Sequence, residues 1–212
     1  MHVLDVLENA LEAGATRVEL SIDEDVAGDR LVIVVRDNGR GMDASTARRA
    51  LNPFFTTRTT RHVGLGLPLF AAAAERCEGG LAVESAPGQG TVVMATFRHS
   101  HLDRAPLGNM ADTLLAFLLS DRAGTRLVYR HRVNGRLFRL DTAEVQAELR
   151  EVPLSHPRVR EWLHEYTAEG EAELGAEDLD HERRERPRKA RKAGGASSGE
   201  YQQDSVEGQG GR

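Results

Sequence analysis

The sequence predicts an α+β protein. Apolar residues recur at helical spacing in several stretches, short β-branched runs lie between them, and glycine-rich turns separate the pieces. The 212 residues suffice for one compact domain with an appendage or for two small ones, and 40% apolar content suffices for a core.

Val3, Leu4, Leu7, Ala10 and Leu11 share one helical face, so residues 3–13 form an amphipathic helix that Gly14 ends. Residues 17–23 alternate, with Val18, Leu20 and Ile22 on one side, as in a strand. Residues 25–29 turn, and the run Leu31–Val35 is a buried strand that Asp37–Gly41 breaks. Asp43 is a good N-cap for a helix over 43–50. Residues 53–63 are polar with little periodicity and read as a loop. A second apolar helix over 67–77 closes at Gly79-Gly80. Strands over 81–85 and 91–97 flank the turn Ala86-Pro87-Gly88-Gln89-Gly90.

A second, smaller α/β unit is expected over 99–166, after a first unit over 1–98. It reads as a helix over 111–119, strands over 126–133 and 136–140 about the hairpin pair Asn134-Gly135, a helix from Ala143, and a last helix through Trp162 and Tyr166. Those two aromatics, four apart, read as a docking face. The hairpin residues Arg126, Arg130, His131, Arg132, Arg136 and Arg139 read as a solvated hairpin face or as a basic surface for a partner. From Thr167 to Arg212 the chain divides into an acidic block, a basic block and a Gly/Ser/Gln-rich end, the composition of a disordered tail.

Composition narrows the functions. Lys and Arg number 28 against 33 Asp and Glu, a net charge of −5, which argues against nucleic-acid binding over the whole surface. The mean hydropathy of −0.45 is that of a soluble protein. Apolar runs such as Leu31–Val35 and Leu114–Leu119 are far too short to cross a bilayer. The opening residues lack the pattern of a secretory leader, so a cytoplasmic location is expected. The single cysteine, Cys77, allows neither an internal disulfide nor a cysteine zinc cluster.

The chemistry concentrates in the first hundred residues. Asp37-Asn38-Gly39-Arg40-Gly41-Met42 follows a buried strand directly. Glycines at two-residue spacing let a backbone approach a ligand or take positive φ, and a carboxylate at a strand end can accept a hydrogen bond from an exocyclic amine. Asn9 offers a carbonyl oxygen suited to Mg²⁺, with Asp5 four residues earlier on the same helical face. Gly64-Leu65-Gly66-Leu67 opens a helix whose amides could face an anion. Between them, Phe54-Phe55-Thr56-Thr57-Arg58 carries hydroxyls and a guanidinium suited to a phosphate chain. Gly88-Gln89-Gly90-Thr91 puts a hydroxyl at the start of the last strand of the first unit. No P-loop motif occurs.

These segments, in this order, resemble the asparagine box (7–15), first glycine box (37–42), phenylalanine box (53–58), second glycine box (64–67) and closing Gly-x-Gly-Thr (88–91) of the gyrase, heat-shock chaperone, histidine kinase and mismatch-repair ATPases. The resemblance is greatest to the ATP-binding domain of sensor histidine kinases and covers roughly residues 3–98. It implies a two-layer α/β sandwich of the Bergerat type, here with a small α/β C-terminal extension, and ATP held between helices and a lid. Carried over by position, Asn9 would hold Mg²⁺, and Asp37 the adenine amine. Gly39 and Gly41 would let the nucleotide near the backbone, with Met42 by the base. Phe54 to Gly64 would be the lid, with Thr57 and Arg58 near the phosphates. Gly64, Leu65 and Gly66 would lie against them, and Thr91 would support the adenine end. Asp5 stands where the ATPase branches carry a catalytic Glu, so slow hydrolysis is expected. His62-Val63 replaces the usual Gly-Thr, and no counterpart of the strand and helix that precede the asparagine box in the family is seen.

Two uses of a nucleotide follow. A kinase would pass the γ-phosphoryl group to a protein partner in trans, with Asp5, Asn9 and Arg58 at the reacting end. Alternatively, ATP would order the lid and gate a partner interaction without phosphorylating it. His101-Leu-Asp-Arg104-Ala-Pro106-Leu107 partly resembles a phosphoacceptor box, yet it follows the ATP-binding segment instead of preceding it, and it also reads as a plain strand-to-helix linker.

Overall fold

The computed structural model describes residues 2–52, 66–120 and 124–193, with the backbone alone for 176–193. In chain order the elements are α1 (Val3–Glu12), β1 (Arg17–Asp25), β2 (Arg30–Asp37), α2 (Ala44–Arg49), α3 (Gly66–Arg76), β3 (Gly80–Ala86), β4 (Gly90–Arg98), α4 (Met110–Ser120), β5 (Arg126–Val133), β6 (Arg136–Asp141), α5 (Thr142–Leu149) and α6 (Pro157–Ala193). The strands form one mixed sheet in the order β3-β4-β2-β1-β5-β6. Every neighbouring pair is antiparallel except β1 and β5, which run parallel.

Alternation decides which face is buried. Val18, Leu20 and Ile22 of β1, Leu31, Ile33 and Val35 of β2, and Val93, Ala95 and Phe97 of β4 join one core. Onto it pack Val3, Val6, Leu7 and Ala10 of α1, Phe70 and Ala74 of α3, and Leu114 and Phe117 of α4. The result is α+β, with helices layered on the apolar face of the sheet.

The expected boundary at residue 98 does not interrupt this sheet. β5 pairs with β1 from Arg17↔Arg126 to Glu24↔Val133, and Met1–Gly175 forms one compact unit. The physical reason is continuity of the core face: Leu127 and Tyr129 stand beside Val18 and Leu20, and all four are fully buried. The hairpin itself follows expectation, with Asn134 and Gly135 both at positive φ.

Order also extends past Thr167. α6 continues to Ala193, and Val159, Leu163, Thr167 and Leu174 are buried at spacings of one helical face. Gly170 belongs to that face, because a Cβ there would fall within 2.2 Å of the Phe138 ring. Charge composition hid this stripe, since Glu161, Glu165, Glu169, Glu171 and Glu173 stand between its buried positions.

The hairpin arginines are not an open basic surface. Arg126 makes a bidentate pair with Asp141 at 2.9 and 2.6 Å, Arg130 meets Glu19, and Arg132 meets Asp23. Arg139 meets Glu144 and Asp141, and Arg136 donates to the Glu173 and Leu174 carbonyls of α6. Trp162 and Tyr166 stack on each other at 5.2 Å and remain part exposed.

Beneath α6 lies an ionic cluster. The His131 side chain, 5% exposed, bonds Glu171 of α6 through Nδ1 at 2.8 Å and Glu24 of β1 through Nε2 at 2.9 Å. Glu24 also meets His99 at 2.7 Å, and the Tyr129 hydroxyl donates to Glu171 at 2.8 Å. Burial pulls the His131 imidazolium down, but the bonds and charges of the two glutamates outweigh it and push it up to about 9. Burial likewise raises the Glu24 carboxyl, and the two histidines more than reverse this.

Candidate functional site

Asp37 ends β2 and faces Thr91 of β4 across the ladder. Its Oδ1 accepts the Gly39 N–H at 2.8 Å, and the Thr91 amide also donates to the carboxylate. Burial pushes the Asp37 carboxyl above its ordinary value, against those two donors.

The loop after Asp37 is tied down on both sides. On one side the Asn38 carboxamide binds the α1–β1 junction, its Oδ1 accepting the Thr16 and Arg17 amides at 2.9 Å each. The Arg40 amide and guanidinium donate to the carbonyls of Ala13 and Glu12, which the end of α1 leaves open. On the other side Ser85 accepts the Met42 amide at 2.8 Å and donates to the Gly90 carbonyl at 2.9 Å. The glycines are explained by these approaches. A Cβ on Gly41 would lie 2.0 Å from the Ala86 oxygen, one on Gly90 2.0 Å from the Asp37 oxygen, and one on Gly39 2.7 Å from the Ala13 Cβ. Gly41 and Gly90 also sit at positive φ.

This loop, α1 and the starts of α3 and β4 enclose a cavity of about 460 Å³. Its lining includes the polar residues Asn9, Asp37 and Thr91, together with Gly41 and Met42. Val6, Ala10, Leu67 and Val93 make it apolar between them. Asp43, beside Met42, caps α2 through the Ser45 and Thr46 amides, and those bonds hold its carboxyl well below the usual range.

Asn9 and Asp37, 28 residues apart in sequence, therefore open into one cavity, with Gly41, Met42 and Thr91 around it. Gly39 backs onto Ala13 instead, and Gly66 lies against Asp5, whose Cβ would be 2.7 Å from a Cβ there. Asp5 meets His2 at 3.1 Å and is not among the described residues of the wall. Thr57, Arg58, Gly64, Leu65 and the Phe54–Gly64 lid lie outside the described residues. Asn38 and Ser85 were missed by sequence reasoning. The available signal for Ser85 was its place two residues after Val83, on the core-facing side of β3 just before the turn.

His101 lies elsewhere. It follows Arg98, which pairs with Arg30 at the far end of β2 from Asp37, so about 20 Å of strand separates it from the cavity. It sits in a loop ahead of α4, with the Asp103 amide donating to its Nδ1 at 3.1 Å.

No described helix is long and apolar enough to cross a membrane, and the described residues include no cluster of three or more His, Cys, Asp or Glu side chains able to hold a metal ion. A lone amide oxygen such as that of Asn9 fits an ion whose remaining ligands are phosphate and water.

The family profile described as histidine kinase-, DNA gyrase B-, and HSP90-like ATPase matches residues 2–101. A putative sensor protein of Shewanella frigidimarina is 32% identical over 103 residues, 48% of this chain and 16% of that protein. The sensor protein kinase FleS of Pseudomonas aeruginosa is 43% identical over 89 residues, 42% of this chain and 22% of its own length. The cell-division control histidine kinase PdhS of Brucella ovis is 36% identical over 109 residues, 44% and 10% of the two chains. The chain thus spans less than a quarter of each of these relatives. Among solved structures, full-length ShkA in complex with AMPPNP aligns with a TM-score of 0.40 and 24% identity, covering 46% of this chain and 20% of that one. The profile match and these relatives together support a histidine kinase-like ATPase domain over residues 2–101.

Proposed function

We propose that this domain binds Mg–ATP and passes its γ-phosphoryl group to a partner protein in trans. The observation that carries the reading is the meeting of Asn9 and Asp37 in one cavity of about 460 Å³, a volume suited to a nucleotide. Asp37 accepts the amine of the base, and Thr91 stands beside it at the same end. Val6, Ala10, Leu67 and Val93 cover the faces of the ring. Asn9 would hold Mg²⁺ at the phosphate end. Mg²⁺, when bound, supplies charge neutralisation to the phosphates. Thr57, Arg58, Gly64, Leu65 and Gly66 are assigned to the phosphate end by their place in the family's motifs. Transfer of a phosphoryl group rests on positioning and charge more than on a strong base. That suits a site whose acid, Asp5, is short and lies apart from the described wall.

The relatives named as sensor and histidine kinases support this reading for the domain, and the distance of His101 from the cavity speaks against His101 itself as the acceptor. The same feature of Asp5 favours the second reading, in which ATP gates a partner interaction with little turnover. The experiment is a titration of the chain with Mg–ATP, followed by incubation with γ-labelled ATP and a partner. Asp37→Asn and Asn9→Ala should each lower affinity at least about tenfold. Native affinity in either variant would refute the site. Label on the partner identifies a kinase. Altered partner affinity with a non-hydrolysable analogue alone identifies a gate.

A further inference from the structure

We propose that Ser85 orients the Thr91 hydroxyl so that the base end of the cavity offers only acceptors, and so selects a purine bearing a 6-amino group over a 6-oxo purine. The inference rests on the nucleotide reading above and deepens it, by adding a positioning residue for base specificity.

Ser85, Thr91 and Asp37 form one row across three strands. Ser85 pairs with Thr91 in the β3–β4 register, and Thr91 pairs with Asp37 in the β4–β2 register. Alternation with the buried Val93 and Val35 puts Thr91 and Asp37 on the core-facing side, and Thr91 and Asp37 both open into the cavity.

Proton assignment fixes the polarity of the row. A serine hydroxyl has one proton and two lone pairs. The Gly90 carbonyl, 2.9 Å from Ser85 Oγ, can only accept, so it takes the proton. The Met42 amide, at 2.8 Å, can only donate, so it fills one lone pair. The remaining lone pair lies 3.0 Å from Thr91 Oγ1. With both other positions of Ser85 committed, Thr91 must be the donor in that contact. The Thr91 oxygen then has only lone pairs for the cavity, and the ionised Asp37 carboxylate likewise only accepts. Two neighbouring acceptors suit an amine, or a water that donates to a ring nitrogen. A 6-oxo group would face them lone pair to lone pair and leave buried polar atoms unpaired.

The test is a calorimetric titration of the full chain with ADP and with IDP, both in magnesium, for the wild type and its variants. The wild type should prefer ADP by about tenfold or more. Ser85→Ala frees the Thr91 proton and should narrow the preference to within about threefold. Ser85→Thr keeps the hydroxyl and should restore the wild-type ratio. In a Thr91→Val background, Ser85→Ala should change the ratio no further, which a purely structural role would not predict. An unchanged ratio in folded Ser85→Ala, or an equal change in both backgrounds, overturns the inference. If Ser85→Ala does not fold, Ser85→Cys takes its place under the same criterion, because a thiol is a weak partner. A wild type that binds both nucleotides equally sinks this inference and leaves the nucleotide site standing. A wild type that binds neither sinks both.

Discussion

Asn38 and Thr16 are joined twice, the Thr16 amide donating to Asn38 Oδ1 and the Asn38 Nδ2 donating to the Thr16 hydroxyl, both at 2.9 Å. Thr16 connects α1, which carries Asn9, to β1, and Asn38 follows Asp37 directly. One carboxamide therefore fixes the spacing between the two polar ends of the cavity. Asn38→Ala should destabilise the chain by about 2 kcal/mol in denaturant melts, because two amides lose their acceptor. It should also weaken ATP binding, which Asn38→Asp, retaining the acceptor oxygen, should do less.

Gly41 and Gly90 interlock the Asp37 loop with the β3–β4 turn. Alanine at either position would meet a backbone oxygen at 2.0 Å and sit at positive φ. Each substitution should cost about 3 kcal/mol, whereas Gly88→Ala, with open space around it but also at positive φ, should cost about 1 kcal/mol. Equal losses at all three positions in thermal melts would contradict the interlock.

His131 should make stability depend on pH. Its folded value lies above the ordinary histidine value, so its contribution is complete below about 6.5 and is lost as pH rises through about 9. The lowered Glu24 contributes above about 4.5 and loses that contribution on acidification. Stability should thus be greatest at mildly acidic pH and fall toward pH 9. Tyr129, His99, Glu24 and Glu171 are the titratable groups facing or adjoining the imidazole. His131→Ala leaves two carboxylates without their cation and should cost about 3 kcal/mol at pH 6, with a flatter slope between pH 6.5 and 9.

A chain cut after residue 101 keeps the entire matched segment, yet it should not fold. It would lose the parallel partner of β1 and the α4 and α6 side chains that complete the core. Circular dichroism should report a largely unstructured or aggregated product. A cooperative melt would show instead that the C-terminal elements are dispensable.

The elements were largely legible because each carries its own local signal. Helical spacing gives α1 and α3, alternation gives β1, and Asn134-Gly135 gives the hairpin. The pairing of β5 with β1 was not legible, since no local feature of Leu127 or Tyr129 names a partner 109 residues earlier in the chain. The helix beyond Thr167 was hidden for a related reason: its buried stripe includes a threonine and a glycine, which read as polar or flexible until Phe138 is placed against them. At the cavity, residues in ordered motifs could be proposed from sequence. The roles of Asn38 and Ser85 could not, because their partners belong to other elements.

The sheet order sets a schedule for synthesis. β1 leaves the ribosome about a hundred residues before the strand that covers its open side. Until then the nascent ATPase segment exposes a bare strand margin and an uncovered patch of valine and leucine. A chaperone would protect it during that interval, and overexpression without one should favour inclusion bodies.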